Sequence, residues 1–436
     1  MRPPRWQAAL VALVAVVATS ACAPRATQGR GATDEATTLL RRRQRLVLDS
    51  VQAVLTRGLT DSAFPAAWAV VGTRDAVYAS FGVGAVEAPA GAPTAGGAEP
   101  ATGGPNASAP TVPAAPSTPV SDSTVWDLAS LTKVVGTTSA ILQLVAEGRV
   151  ELDAPAVRYL PRWTAPRAGE VTIRHLLSHA AGLPAWRPLY KEAWSAEEAI
   201  AQVYATGPDT TPGYRYTYSD LGFILLGEVV REVSGMPLDS YVLSRVFLPL
   251  DMRETRFLPS PLWRSRTAPT EIDPWRQRHV RGEVHDENAF QLGQVSGHAG
   301  LFTTARDLTR FAQMLLRGGW ATRVDGTRLD ILPEATLRQF RQRQPFGGAH
   351  RALGWETPTG TNSAGQRLSD EAFGHTGFTG TSLWVDPGRD VFVLLLTNRV
   401  NPTRQRSGIA GVRTRLADAV VGALEAADPA RVGARR

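Results

Sequence analysis

A single cysteine, Cys22, stands in a chain of 436 residues, so no disulfide can form within it and no cysteine-rich metal site can be built. Lysine is nearly as scarce: of 47 basic residues only Lys133 and Lys191 are lysines, and arginine supplies the remaining positive charge. The sequence has no internal repeat. It has no Gly-x-Ser-x-Gly turn, which removes the nucleophile elbow of alpha/beta-hydrolases. Nor has it His-Glu-x-x-His, because Leu176 follows His175 where that motif needs glutamate before His179. A net charge of +7 and a pI near 9.9 raise the question of nucleic acid as a partner. The arginines are scattered, however, and no nucleic-acid motif is present, so nucleic acid is not expected.

Hydrophobic residues make up 43% of the chain and charged ones 20%, enough for a large buried core in one domain or two lobes. The first residues read as an export signal. Arg2 and Arg5 precede an apolar run from Ala8 to Ala18, too short to span a bilayer, and small residues lead from Thr19 to Cys22. Cys22 is placed like the lipidation site of bacterial lipoproteins, although Thr19 stands where leucine is usual, with plain cleavage near Ala21 or Ala23 as the alternative. Residues 1–22 are therefore expected to be a signal, and any membrane contact to run through a lipid anchor at Cys22. The mature protein is expected outside the cytoplasm, in the periplasm or cell envelope.

A polar linker is expected over residues 23–38 and a helix over Leu39 to Leu55. Ala66 to Val71 and Ala76 to Val83 read as a hairpin turning at Gly72 to Asp75. From Glu87 to Pro119 the composition collapses into Ala, Pro, Gly, Ser and Thr, as in a flexible insertion at a loop tip. Helical spacing continues over Leu131 to Glu147, closed by Gly148, and over Ile173 to His179, Ala196 to Thr206, Leu221 to Ser234, Pro237 to Val246 and Ala305 to Leu316. Ser382 to Val385 and Val391 to Thr397 read as a strand pair, Arg413 to Ala426 as a closing helix, and residues 429–436 as a tail.

Ser130 stands three residues before Lys133 in Asp127-Leu-Ala-Ser-Leu-Thr-Lys. On a helix those positions share a face. A serine hydroxyl is a poor nucleophile until a base takes its proton, and a desolvated lysine can be that base where arginine cannot. Two further stretches follow in order: Tyr218-Ser219-Asp220 before an apolar helix, and His375-Thr376-Gly377 before the last strand pair.

Together these three stretches resemble the signature elements of the serine beta-lactamase and penicillin-binding protein superfamily, in its branch of class C beta-lactamases, D-Ala-D-Ala carboxypeptidases and related esterases. The resemblance covers roughly residues 39 to 428 apart from the insertion. Val284-His-Asp-Glu-Asn-Ala289 is similar to a low-molecular-weight periplasmic penicillin-binding protein. What the resemblance implies is an α+β fold: a mostly antiparallel sheet flanked by helices, an all-helical lobe, and an active site between the lobes. Ser130 would be the nucleophile, Lys133 its proton acceptor and Tyr218 a second acid or base. Asp220, His375, Thr376, Gly377 and Phe378 would contact substrate. His375 would help to bind its carboxylate and tune Tyr218, and the backbone N–H groups of Ser130 and Phe378 would form the oxyanion hole. The implied activity is a D-Ala-D-Ala carboxypeptidase or a related esterase or peptidase on small acyl substrates: peptidoglycan peptides, esters or beta-lactams. No cofactor and no metal are implied. A class C-like beta-lactamase and a non-catalytic envelope protein that binds muropeptides or beta-lactams are the alternatives.

Asp220 departs from the pattern, since relatives usually carry asparagine there. An ionised carboxylate only accepts hydrogen bonds, and it favours a charged Lys133. A class A lactamase would need asparagine after Asp220, where Leu221 stands. His175 and His179 have the i, i+4 spacing of a metal face, but imidazoles that tie loops together are the simpler reading. Trp126, Trp186 and Trp355 are candidates for cleft walls, and His285, Asp286 and Glu287 for binding a metal, organising a loop or bordering the substrate.

Overall fold

A computed structural model describes residues 28–86, 118–323, 325–348, 351–359 and 362–428. The expected signal, Cys22, the first part of the linker, nearly all of the insertion and the tail lie outside them. The chain divides at Arg42; the described residues before it form the leading turns of a helix. That helix, α1 (Gln28–Thr60), starts inside the stretch expected as a linker, where Ala32, Glu35 and Ala36 are good helix formers. The later helices that matter for the site are α2 (Ser139–Ala146), α3 (Asp220–Ser234), α4 (Ala305–Leu316) and α5 (Ile409–Ala427).

The hairpin near residue 70 forms as β1 (Ala66–Gly72) and β2 (Val77–Gly84), with a register shift between Val71 and Gly72. Near the other end of the chain come β3 (Phe373–Thr376), β4 (Ser382–Asp386) and β5 (Val391–Thr397). They join into one five-stranded sheet in the order β2-β1-β5-β4-β3, every neighbour antiparallel. Thus β5 is central, and all seven of its residues are buried. Its side chains alternate between two cores. Val391, Val393 and Leu395 pack with Val47, Val51 and Leu55 of α1 and Val412, Leu416 and Val420 of α5, while Phe392, Leu394 and Leu396 join the main core with Leu308 and Phe311 of α4. Burying each such side chain contributes about 1.5–3 kcal/mol, so this layering is well specified by the apolar run alone. The two ends of the insertion meet at its base, where Ala85 bridges Pro119 and the Val86 N–H reaches Thr118 O at 2.8 Å.

The helix expected over Leu221 to Ser234 forms as α3 and is capped at both ends: the Ser219 side chain accepts from the Gly222 N–H at 3.3 Å, and Gly235 closes the helix at φ +74. The helix expected from Leu131 to Glu147 is helical but changes pitch. A 3-10 turn at Ala129–Leu131 leads into π-helix at Lys133–Thr138 before α2 begins. Ser139 Oγ donates to Val134 O at 3.1 Å and Thr137 Oγ1 to Gly297 O at 2.7 Å, side-chain bonds that a hydrophobic-period reading does not see. Residues 129–146 are apolar enough to cross a membrane by length and composition, yet most of them lie inside the protein core.

Candidate active site

Ser130 is held by a turn fixed from several directions. Trp126–Asp127 pairs with Phe302–Thr303, and Ala129 is driven to φ +46, a left-handed conformation that costs a non-glycine residue about 1–3 kcal/mol. Asp127 compensates through Oδ1, which accepts the Ala129 N–H at 2.7 Å. From the sheet side, Thr379 Oγ1 donates to Asp127 O at 2.8 Å and Thr381 Oγ1 to Leu128 O at 3.1 Å. Gly377 is required by the same approach: a Cβ there would stand 2.4 Å from Leu128 O and 2.1 Å from Thr381 Oγ1.

Lys133 is completely buried. Its Nζ lies 3.0 Å from Ser130 Oγ, 2.7 Å from Asp220 Oδ1 and 3.0 Å from His298 O. An ammonium has three donors, so these acceptors satisfy it fully. The same three contacts also suit the neutral amine if Ser130 O–H donates to the nitrogen lone pair and the two remaining N–H groups keep Asp220 and His298. Burial pushes the Lys133 pKa down, but the charge of Asp220 at contact distance, with Tyr218 beyond it, pushes harder, and the balance is upward. At neutral pH the resting site therefore holds the ammonium.

Tyr218 flanks this pair, its ring centroid 4.9 Å from Lys133 Nζ. Burial raises its pKa, the Lys133 charge lowers it and Asp220 raises it, and the result stays above the ordinary value, so the phenol is protonated at rest. Beside it stand two imidazoles. His179 lies 4.4 Å from the Tyr218 ring and its Nδ1 accepts from the Ser219 N–H at 3.0 Å. His375 lies 6.0 Å away, with Nδ1 2.7 Å from Thr376 O. A carbonyl can only accept, so Nδ1 carries the proton of His375 and Nε2 is left as an acceptor. Burial first, then the Arg351 and Lys133 charges, hold both histidines well below the usual imidazole range. A neutral His375 with this tautomer has no Nε2 hydrogen to offer a carboxylate.

That role has another candidate, Arg351, which the sequence reading did not single out. It is 8% exposed, its guanidinium lies 5.3 Å from the Tyr216 ring and 5.4 Å from the Tyr218 ring, and Nη2 donates to Glu356 at 3.0 Å. Its Nη1 is buried with no hydrogen-bond partner among the described residues. A buried N–H of a cation left unpaired is costly. Nothing near Arg351 in the sequence advertises this.

The remaining expected residues lie at the same edge. Thr376 ends β3 opposite Ser382, Gly377 N–H bonds Thr381 O at 2.8 Å, and Phe378 is 49% exposed at the rim with Arg399 4.5 Å from its ring. Arg413, a further residue missed in the sequence, donates to Gly377 O at 2.7 Å and Thr381 O at 2.8 Å. Burial pushes it down to about 10, still charged at neutral pH. Of the three tryptophans considered as cleft walls, Trp126 and Trp355 are buried in the core and Trp186 alone is exposed. Proximity in sequence to a motif did not reveal which way an aromatic ring faces.

His175 and His179 tie different loops. His175 Nδ1 accepts from the Thr172 N–H at 3.3 Å, whereas His179 serves Ser219. A separate group, Asp220, Asp286 and His298, brings three ligand-type atoms within 4.8 Å of one another. Its ligand-type atoms are already engaged, because Lys133 Nζ donates to Asp220 and His298 Nε2 lies 2.9 Å from Asp286 Oδ1. His298, also unforeseen, thus supports the site twice, through its ring and through its carbonyl.

Comparisons with known proteins identify the family. Residues 51–417 match the family profile described as Beta-lactamase. The chain is 30% identical over 347 residues, 70% of its own length and 78% of the relative's, to a Salmonella schwarzengrund protein named "Putative D-alanyl-D-alanine carboxypeptidase". Among solved structures it resembles EstCE1, described as a hydrolase with promiscuous acyltransferase activity, at TM-score 0.65 and 20% identity over 87% of this chain and 99% of that one. It also resembles an octameric penicillin-binding protein homologue from Pyrococcus abyssi, at TM-score 0.62 and 20% identity over 86% of this chain and 78% of that one.

Proposed function

From the premise that this chain belongs to the beta-lactamase family, whose members are serine hydrolases of α+β fold, we propose that it is an exported D-Ala-D-Ala carboxypeptidase acting through an acyl-enzyme on Ser130. One observation carries the choice of substrate: the unpaired, buried Nη1 of Arg351 beside Tyr218. A peptide ending in a free carboxylate, or a beta-lactam with its own carboxylate, would pair it, and a neutral ester would not. His375 would then serve as an acceptor toward Tyr218 or the substrate rather than as the carboxylate's partner.

In this reading Lys133, as the neutral amine, takes the Ser130 proton while Oγ bonds to the acyl carbon. The N–H groups of Ser130 and Phe378 receive the oxyanion, where losing one donor typically costs about 10²–10³ in rate. Collapse breaks the bond to the leaving amine, which takes a proton from Tyr218 or Lys133. Water then attacks the ester, giving its proton back through the same groups. A phenol with a raised pKa is protonated at rest and so is seldom available as a base, which favours slow deacylation and a long-lived lactam adduct over rapid lactam turnover. Residues 39–428 would be the catalytic domain, delivered by the signal at residues 1–22 and held at the membrane by lipid on Cys22.

The test is to follow purified protein with a fluorescent penicillin, a D-Ala-D-Ala peptide and a chromogenic ester. Wild type should give a stable penicillin adduct and release D-alanine, Ser130→Ala should do neither, and Arg351→Ala should raise KM for the peptide far more than for the ester. Ser130-dependent turnover of the ester alone would refute the carboxypeptidase reading.

A further inference from the structure

The stretch Val284 to Ala289 has no part in the chemistry so far, yet it lies against both sides of the expected oxyanion hole. Its residue His285 is 3% exposed, and three of its contacts bear on the site. Its backbone N–H donates to Asp127 Oδ2 at 2.7 Å. Its Nε2 lies 2.9 Å from Oε2 of Glu271, itself 4% exposed and bound by Arg404 Nε at 2.6 Å. Its ring stacks on that of Phe378, centroids 5.7 Å apart at 24°.

The first contact acts on the nucleophile. Asp127, 3% exposed, spends one carboxylate oxygen on His285 N–H and the other on Ala129 N–H, the residue whose φ of +46 aims Ser130. The ring contact acts on the opposite donor. Phe378 is anchored behind by Arg399 Nε on its carbonyl at 2.8 Å, but its half-exposed side chain has the His285 face as a stacking partner. The Glu271 bond stops the imidazole from turning out of that stack. A carboxylate with two buried N–H donors is a stiff link, and a stacked ring sets the angle of the peptide that carries it.

We propose that His285 is a positioning residue for acyl transfer: through Asp127 it registers the Ala129–Ser130 turn and through Phe378 it registers the facing peptide, so that one residue sets the spacing of both oxyanion donors. The inference rests on the reading of Ser130 as nucleophile. It assigns His285 no contact with substrate. Misplacing reacting groups by about 1 Å costs on the order of a hundredfold, which is the scale expected here.

The experiment measures the acylation rate constant and the noncovalent dissociation constant separately for the fluorescent penicillin, by stopped flow on folded protein of known melting temperature. His285→Ala should slow acylation by about ten- to a hundredfold with the dissociation constant unchanged within about threefold. His285→Phe, which keeps a flat ring against Phe378, should recover most of that loss. Asp127→Asn, which keeps the volume but offers one acceptor to two N–H donors, should reproduce it without touching the stack. Folded His285→Ala and Asp127→Asn that acylate at the wild-type rate, even with lowered melting temperatures, would show a structural role only and overturn the proposal. Loss that His285→Phe does not restore would overturn the stacking part. Absence of a Ser130 adduct in wild type would instead remove the nucleophile assignment itself, a result distinguishable because it precedes any variant.

Discussion

Replacing Asp220 with asparagine tests how the charge on Lys133 is set. The carboxylate lies 2.7 Å from Nζ, and it is what outweighs burial in keeping the amine protonated. An opposite charge at this range is typically worth about 1–3 pKa units. Asparagine keeps an oxygen at the same place and removes the charge, so the neutral fraction of Lys133 at pH 7 should rise by about 10- to 1000-fold. A weaker base is also a poorer proton acceptor; if that takes back about half the gain on a logarithmic scale, acylation speeds up by about 3- to 30-fold. The acidic limb of the acylation pH profile should move down by the same 1–3 units. The assay is stopped-flow acylation by a fluorescent penicillin from pH 5 to 10 in wild type and Asp220→Asn. An unmoved limb with an unchanged rate would refute the charge argument, and a slower variant would mean that Asp220 is itself the proton sink.

Three other outcomes follow from the same geometry. Tyr218→Phe should form the penicillin adduct more slowly and release it more slowly still, measured by intact mass against time; normal release would remove Tyr218 from deacylation. Gly377→Ala should cost about 1–3 kcal/mol of stability and abolish acylation, because the added methyl meets Leu128 O at 2.4 Å; a urea titration and adduct mass check both. His179 and His375 have pKa values below their unfolded values, so on acidification the unfolded chain takes up protons that the folded one refuses. Stability is then fully present above pH ~6.5 and falls below it by up to about 1.4 kcal/mol per pH unit for each histidine. His179→Asn should reduce that acid-side slope, read from urea midpoints at pH 7.5 and 5.5; an identical slope would contradict the burial argument.

Four of the five strands of the main sheet and most helices were legible because their signal is local, whereas β3 was not read as a strand. Val391 to Leu396 is an unbroken apolar run, and Ala305 to Leu316 was read with the ends it has in the structure. Where side chains bond out of register the reading drifted: the π-helical stretch after Lys133 depends on Thr137 finding Gly297, far away in sequence. The residues expected at the site, Ser130, Lys133, Tyr218, Asp220, His375, Thr376, Gly377 and Phe378, were picked out by type and order. Arg351, Arg413 and His298 were not, being ordinary in composition and significant only for what they face.

Sequence by itself determined the chemistry on offer: one lysine placed to serve a serine, no disulfide within the chain, an apolar central strand, and three motifs in order. Only the tertiary structure decided the charge state of that chemistry. A lysine's proton depends on what lies within a few ångströms of it, and Asp220, His298 O and Tyr218 come from positions spread along the chain. Likewise the tautomer of His375 follows from one carbonyl, and the unpaired state of the buried Arg351 Nη1 from the absence of any partner for it among the described residues. Burial and distance are properties of the fold, and they turn a list of residue types into a site with a defined protonation state.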